Sequence, residues 1–66
     1  MQILVNGEPH TIQSNATLTT LLEELNVQTQ RLAVEVNEEI VPRSEWQTFS
    51  LSTDDKVEIV KAVGGG

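Results

Sequence analysis

The last three residues, Gly64-Gly65-Gly66, are the part of this 66-residue chain best suited to chemistry. Without Cβ atoms they can lie extended in a channel too narrow for any side chain, reaching about 10 Å. We expect them to carry the carboxyl group of Gly66 into another protein's active site; a frayed tail is the bland alternative. That carboxyl is a poor electrophile until an oxygen is exchanged for a leaving group, which requires an activating enzyme. Little else in the chain competes. His10 is the only histidine, and Ser14, Ser44, Ser50 and Ser52 have no base close in sequence, so His10 reads as a surface residue on a short strand. Glu23-Glu24, Glu38-Glu39 and Asp54-Asp55 are adjacent acids that seldom converge on one ligand. Asp54-Asp55 lacks the run of oxygen ligands of a calcium loop and reads as a solvated turn, so no metal site is expected. There is no Gly-rich phosphate loop followed by lysine and serine or threonine. The chain has no cysteine, which excludes a disulfide framework, thiolate chemistry and cysteine-based zinc sites.

Composition narrows the partners. Ten acidic against four basic side chains give a formal charge of -6. Arg31, Arg43, Lys56 and Lys61 are scattered, so sequence-independent nucleic-acid binding, which needs many neutralised phosphates, is not expected. An acidic surface suits solubility and steering toward a basic partner. No apolar run approaches a membrane span, and the N-terminus lacks a signal-peptide pattern. The expected location is the cytoplasm, and the expected free state is a monomer. The length allows one small domain, without room for a catalytic domain with its own cofactor fold.

The elements that must position the tail follow from periodicity. Gln2 to Asn6 alternates Ile3 and Val5 against Gln2, Leu4 and Asn6, and Asn6-Gly7 is a strong hairpin signal. Glu8 and Pro9 are expected to widen the connection before a second strand, His10 to Gln13. Thr17 is the expected N-cap of a helix whose Leu18, Leu21, Leu22 and Leu25 share one face at i, i+3, i+4 and i+7. Leu32 to Val36 reads as a strand, Asn37-Glu38-Glu39 as a polar break, and Ile40-Val41 as a short strand ended by Pro42. Arg43 to Trp46 forms a turn or one 3₁₀ segment, and Lys56 to Val63 is the last strand. This order predicts an α+β β-grasp (ubiquitin-like) fold, a mixed four- or five-stranded sheet with one helix across one face. Residues 1–63 form the domain and 64–66 a flexible glycine tail. The expected core is Ile3, Val5, Ile12, Leu18, Leu21, Leu22, Leu25, Val34, Val36, Val57 and Ile59, closed at one end by Trp46 or Phe49. The same alternation leaves Leu4, Val60 and Ala62 facing outward, a candidate docking surface beside Gly64. Arg43, fixed by Pro42, either caps a local carbonyl or meets a partner's carboxylate through its planar fork.

The sequence resembles the ubiquitin-like sulfur carriers of prokaryotic thiamine biosynthesis, the ThiS family. The resemblance lies in Met1 to Gly7, Thr17-Leu18 with Leu21-Leu22, Ala33 to Trp46, Asp54 to Val60, and Gly65-Gly66, nearly the whole chain. Its most specific part is the Val-Asn-x-x-Ile-Val-Pro-Arg-x-x-Trp pattern from Val36 to Trp46; a terminal Gly-Gly alone is shared by ubiquitin-like modifiers. Asp54-Asp55 stands where many relatives have Asp-Gly-Asp, a difference in the turn. The resemblance implies a protein substrate that binds no cofactor of its own. An E1-like adenylating enzyme would use magnesium and ATP to form a glycyl adenylate at Gly66, with Gly65 as its required neighbour. A sulfur-relay protein or cysteine desulfurase would then supply sulfur for a thiocarboxylate, which thiazole synthase accepts while building the thiazole ring. With no cysteine in the chain, the sulfur must sit on Gly66. The rival readings are the small subunit of molybdopterin synthase, a protein-conjugating modifier, and an adaptor binding partners through its sheet.

Overall fold

The computed structural model describes residues 1–61. Five strands and one helix follow in the order β1 (Gln2–Val5), β2 (Glu8–Thr11), α1 (Leu18–Leu25), β3 (Leu32–Val36), β4 (Glu39–Ile40) and β5 (Lys56–Lys61), with a 3₁₀ turn at Arg43–Glu45 before β5. The sheet order is β2-β1-β5-β3-β4. β1 and β5 run parallel and the other neighbours antiparallel, so the sheet is mixed and five-stranded. This is the expected β-grasp arrangement.

The first hairpin is tighter than expected. Asn6 and Gly7 both have positive φ, +50° and +85°, and form a two-residue turn that puts Glu8 directly opposite Val5. Glu8 and Pro9 therefore belong to β2, which ends at Thr11 and not at Gln13. Proline is tolerated there because of its register. Met1 and Ile12 exchange both backbone bonds, so Ile3–His10 and Val5–Glu8 are the bonded pairs and Leu4–Pro9 is not. Pro9 thus withholds no ladder bond, on a strand at the sheet's edge. The β3–β4 turn has the same form: Asn37 and Glu38 both have positive φ, and Glu39 pairs with Val36.

Helix α1 begins where expected. The Thr17 hydroxyl accepts the Thr20 N–H at 3.3 Å, and Asn26 closes the other end in the left-handed region. The orphan donors of the first turn are also met, because Leu18 N–H reaches the Phe49 carbonyl and Thr19 N–H reaches that of Trp46. Those bonds, with Leu51 N–H on the Ala16 carbonyl, hold the 46–51 segment against the start of the helix. As a result Trp46 and Leu51 enter the core.

The core lies between α1 and one face of the sheet. Ile3, Leu18, Leu21, Leu22, Val34 and Val57 are sealed from solvent, with Ile12, Val36 and Trp46 around them. Three expected members differ: Val5, Leu25 and Ile59 pack against the core but are only partly buried. Leu25 sits on the last helical turn and Ile59 past the end of β1, where each is covered on fewer sides. Ala16, Val41 and Leu51 join the core instead. Phe49 is half-buried, and Trp46 is the closing aromatic. Among the described residues no helix is long and apolar enough to cross a membrane.

Candidate functional site

The strand that leads to the glycines is the sheet's central one. β5 is flanked by β1 over Lys56–Val57 and by β3 from Val57, opposite Val36, to Lys61, opposite Leu32. The strand is therefore held on both sides at its start and by β3 alone from Ile59 to Lys61, where it leads toward the glycines. Gly64, Gly65 and Gly66, together with Ala62 and the boundary expected at residue 63, lie outside the described residues.

Among the described residues no element packs on the face of the sheet opposite α1. Leu4 is half-buried there, opposite Lys56 across the parallel pair. Val60 is 54% exposed and stands opposite Ala33. Four residues of β5 separate the two levels, about 13 Å at strand rise, and Glu58 intervenes, so Leu4 and Val60 do not form one continuous apolar patch. Glu58 lies directly opposite Glu35, which in turn lies opposite Ile40. Ile40, at 70% exposure, is the most exposed large apolar side chain described, and sequence reading did not single it out. The signal was present in the alternation of β3, since a β4 residue paired with outward-facing Glu35 must also face outward. A cleft of about 350 Å³ opens on this face between Leu4, Gly7, Glu35, Glu38, Lys56 and Glu58.

Arg43 is engaged locally. Its guanidinium donates to the Thr29 carbonyl and lies 5.1 Å from the centre of the Trp46 ring, within cation–π range. The Trp46 indole N–H in turn donates to the Val41 carbonyl at 2.8 Å. These contacts tie the loop after α1 to the 3₁₀ turn and form one wall of a cleft of about 480 Å³ that also includes Leu22 and Glu23.

His10 lies 3.7 Å from Glu24, joining β2 to the helix, and its Nε2 makes no hydrogen bond. No group of three or more histidine, aspartate or glutamate side chains able to hold a metal ion occurs among the described residues. Asp55 has a structural task that spacing did not reveal. Its carboxylate accepts the Ser52 N–H at 2.8 Å and the Asn37 amide at 3.0 Å, while the Asn37 side-chain oxygen accepts the Lys56 N–H at 3.0 Å. The turn before β5 is thereby locked to the β3–β4 turn.

Comparison with known proteins agrees with this geometry. The model of the ThiS family matches residues 3–66. The sulfur carrier protein ThiS of Escherichia coli is 30% identical, over the full length of both chains. A thiazole synthase of Paramagnetospirillum magneticum is 41% identical over all 66 residues, but the chain spans only 20% of that protein's length. A second thiazole synthase, from Magnetococcus marinus, is matched over the same share. The crystal structure of a thiamine biosynthesis protein (ThiS) from Geobacter metallireducens superposes with a TM-score of 0.89 at 33% identity, covering both chains completely.

Proposed function

The chain belongs to the ThiS family of ubiquitin-like sulfur carriers, and we propose that Gly66 is the residue through which it delivers sulfur in thiamine biosynthesis. In this family the chain is a substrate and donor, not a catalyst. The Gly66 carboxylate attacks the α-phosphorus of ATP in an adenylating partner, releasing pyrophosphate and leaving a glycyl adenylate. Sulfide, released from a persulfide on a sulfur-relay protein or cysteine desulfurase by a thiol that is itself oxidised to a disulfide, then attacks the acyl carbon and AMP departs, leaving a thiocarboxylate. Magnesium and ATP belong to the partner's site, since this chain has no phosphate loop. Thiazole synthase is the acceptor. Gly65 and Gly64 supply the width-free approach to the reacting carbon.

The observation that carries this reading is the end-to-end match with a named sulfur carrier, on a chain with no cysteine to hold the sulfur elsewhere. The two relatives in which the whole chain aligns within a longer thiazole synthase support the choice of acceptor. Joining a carrier to its acceptor raises their effective concentration to the millimolar range, roughly, without any new contact. Docking is assigned to the open sheet face, with Leu4 and Val60 as two separate apolar contacts and Ala62 following in the chain. Arg43, already engaged by the Thr29 carbonyl and the Trp46 ring, would meet a partner only from that local position.

The test uses the activating enzyme from the same genome, magnesium-ATP and sulfide. The intact mass should change by the replacement of one oxygen with sulfur, and fragmentation should place the change on Gly66. Deleting Gly65 and Gly66 should abolish it and leave the domain folded, because neither has a side chain to contribute to the core. A truncated protein that is still adenylated and still supplies sulfur to thiazole formation would overturn the reading in favour of an adaptor.

A further inference from the structure

From Ile59 onward, β5 has an open edge. Asn37 N–H bonds the Lys56 carbonyl, so Lys56, Glu58 and Val60 direct their backbone groups toward β3. The intervening residues point the other way. Leu4 N–H meets the Asp55 carbonyl and Asn6 N–H meets that of Val57, both at the β1 side. β1 then ends at Val5 and the chain turns back at Asn6-Gly7. The next donor, Ile59 N–H, is met by the Asn6 side-chain oxygen at 2.8 Å, a side chain standing in for the missing strand. Beyond it, the Ile59 carbonyl and the Lys61 N–H and carbonyl have no strand on that side among the described residues.

The outer edges of the sheet are treated differently. β2 carries Pro9, and β4 is two residues long and followed closely by Pro42. Both are ordinary defences against added strands. The interior edge of β5 has no such defence, and it borders a cleft of about 450 Å³ whose walls include Val27, Leu32, Ile59 and Lys61.

We propose that this edge receives an extended segment of the activating enzyme, which pairs with β5 at Ile59 and Lys61 as an added strand and sets an apolar side chain between Val27, Leu32 and Ile59. Backbone groups spaced along a strand are complementary to another extended backbone, and such pairing gives affinity without a sequence requirement on most side chains. It also fixes the direction of the strand that leads to the glycines. A second copy of the chain fits less well. Each carries a charge of -6, and so short an edge offers far less than the roughly 1,200 Å² of a stable interface. The proposal rests on the sulfur-carrier reading only for the identity of the partner.

Lys61→Pro removes an N–H that β3 does not use, whereas Lys61→Ala keeps the N–H and removes the ammonium. Measured against the activating enzyme, Lys61→Pro should weaken binding at least tenfold with its melting temperature unchanged, and Lys61→Ala should stay within threefold of the parent. Amide-resolved hydrogen exchange on the unmodified chain should show the Lys61 N–H slowed at least tenfold at saturating enzyme. Parental affinity in Lys61→Pro, or equal losses in both variants, would overturn the proposal. If Lys61→Pro does not fold, the exchange measurement decides alone, and an unprotected Lys61 amide overturns it. Protection that arises on concentrating the chain without enzyme would transfer the edge to a second copy and overturn it too. Thiocarboxylate formation reads the carrier function separately, so sulfur transfer with an unprotected Lys61 would sink only the added strand.

Discussion

Beneath α1, Ile3, Val34 and Val57 are sealed by Leu18, Leu21 and Leu22, whereas on the reverse of the sheet Leu4 and Glu35 are half-buried and Glu58, Val60 and Ile40 meet solvent. Strand alternation makes this division possible, because neighbouring residues on one strand serve opposite surfaces. The burial that decides whether the chain folds lies on one face, and the other face contributes little of it. Like charges directly opposite each other, as Glu35 and Glu58 are, would be selected against if that face served stability alone. Under the proposed carrier role, this separation lets recognition change without disturbing the core.

The largest expected effect is on the covered face. Leu21→Ala removes a side chain with no exposure and should cost about 2–5 kcal/mol, through lost transfer energy and the cavity left behind. Urea denaturation would show the midpoint fall. A loss below 1 kcal/mol, roughly, would mean that the helix face does not bear the fold. On the open face Leu4→Asp should leave the midpoint nearly in place and weaken binding to the activating enzyme about tenfold, which is about 1.4 kcal/mol. Unchanged affinity in the folded variant would remove Leu4 from the interface.

Arg43 tests whether the division extends beyond the sheet. Its bond to the Thr29 carbonyl and its place over Trp46 give it a structural role on an exposed rim. Arg43→Ala should cost about 1 kcal/mol of stability, with Arg43→Lys recovering part of it, because an ammonium lacks the planar fork. Affinity for the activating enzyme decides its other assignment. Equal affinity in all three proteins would leave the structural role alone.

Much of the covered face was legible in the sequence because two periodicities converged on it. The i, i+3, i+4, i+7 leucines gave α1, and alternating Ile3, Val34, Val36 and Val57 gave the face it covers. Residues buried by loops were not legible. Ala16, Val41 and Leu51 have no periodic signature. Ala16 and Leu51 are inside because the bonds from Leu18, Thr19 and Leu51 bring the 46–51 segment onto the helix start, and Val41 is held by its N–H on the Val34 carbonyl and by the Trp46 indole on its own carbonyl. Pro9 was misplaced because the cost of proline in a strand depends on whether its missing N–H would have faced a neighbour, which is a question of register. Gly65 and Gly66 lie outside the described residues, and the role proposed for them draws on residue type together with the family resemblance. The open edge of β5 was not, because it depends on where β1 stops relative to β5.

The smallest effect expected comes from comparing the two tight turns that border the open-face cleft, Asn6-Gly7 and Asn37-Glu38. Both require positive φ at two successive residues, and glycine meets that requirement at the second position of the first turn. Glu38, at φ +72°, carries a Cβ into the same region. For an L-residue that conformation costs roughly 1–2 kcal/mol, part of which glycine would return through the greater freedom of its unfolded chain. Glu38→Gly should therefore stabilise the domain by about 0.5 kcal/mol net, read as a small rise in the urea midpoint. The converse change, Gly7→Ala, should lower it by about 1 kcal/mol, although nothing lies within 4 Å of the added methyl. Glu38 also lines the open-face cleft, so affinity for the activating enzyme adds a second reading. A more stable Glu38→Gly that binds less well would show a side chain retained on the open face for recognition at the expense of stability. A variant that destabilises the fold would show that the Glu38 side chain contributes more to the native state than its backbone strain removes.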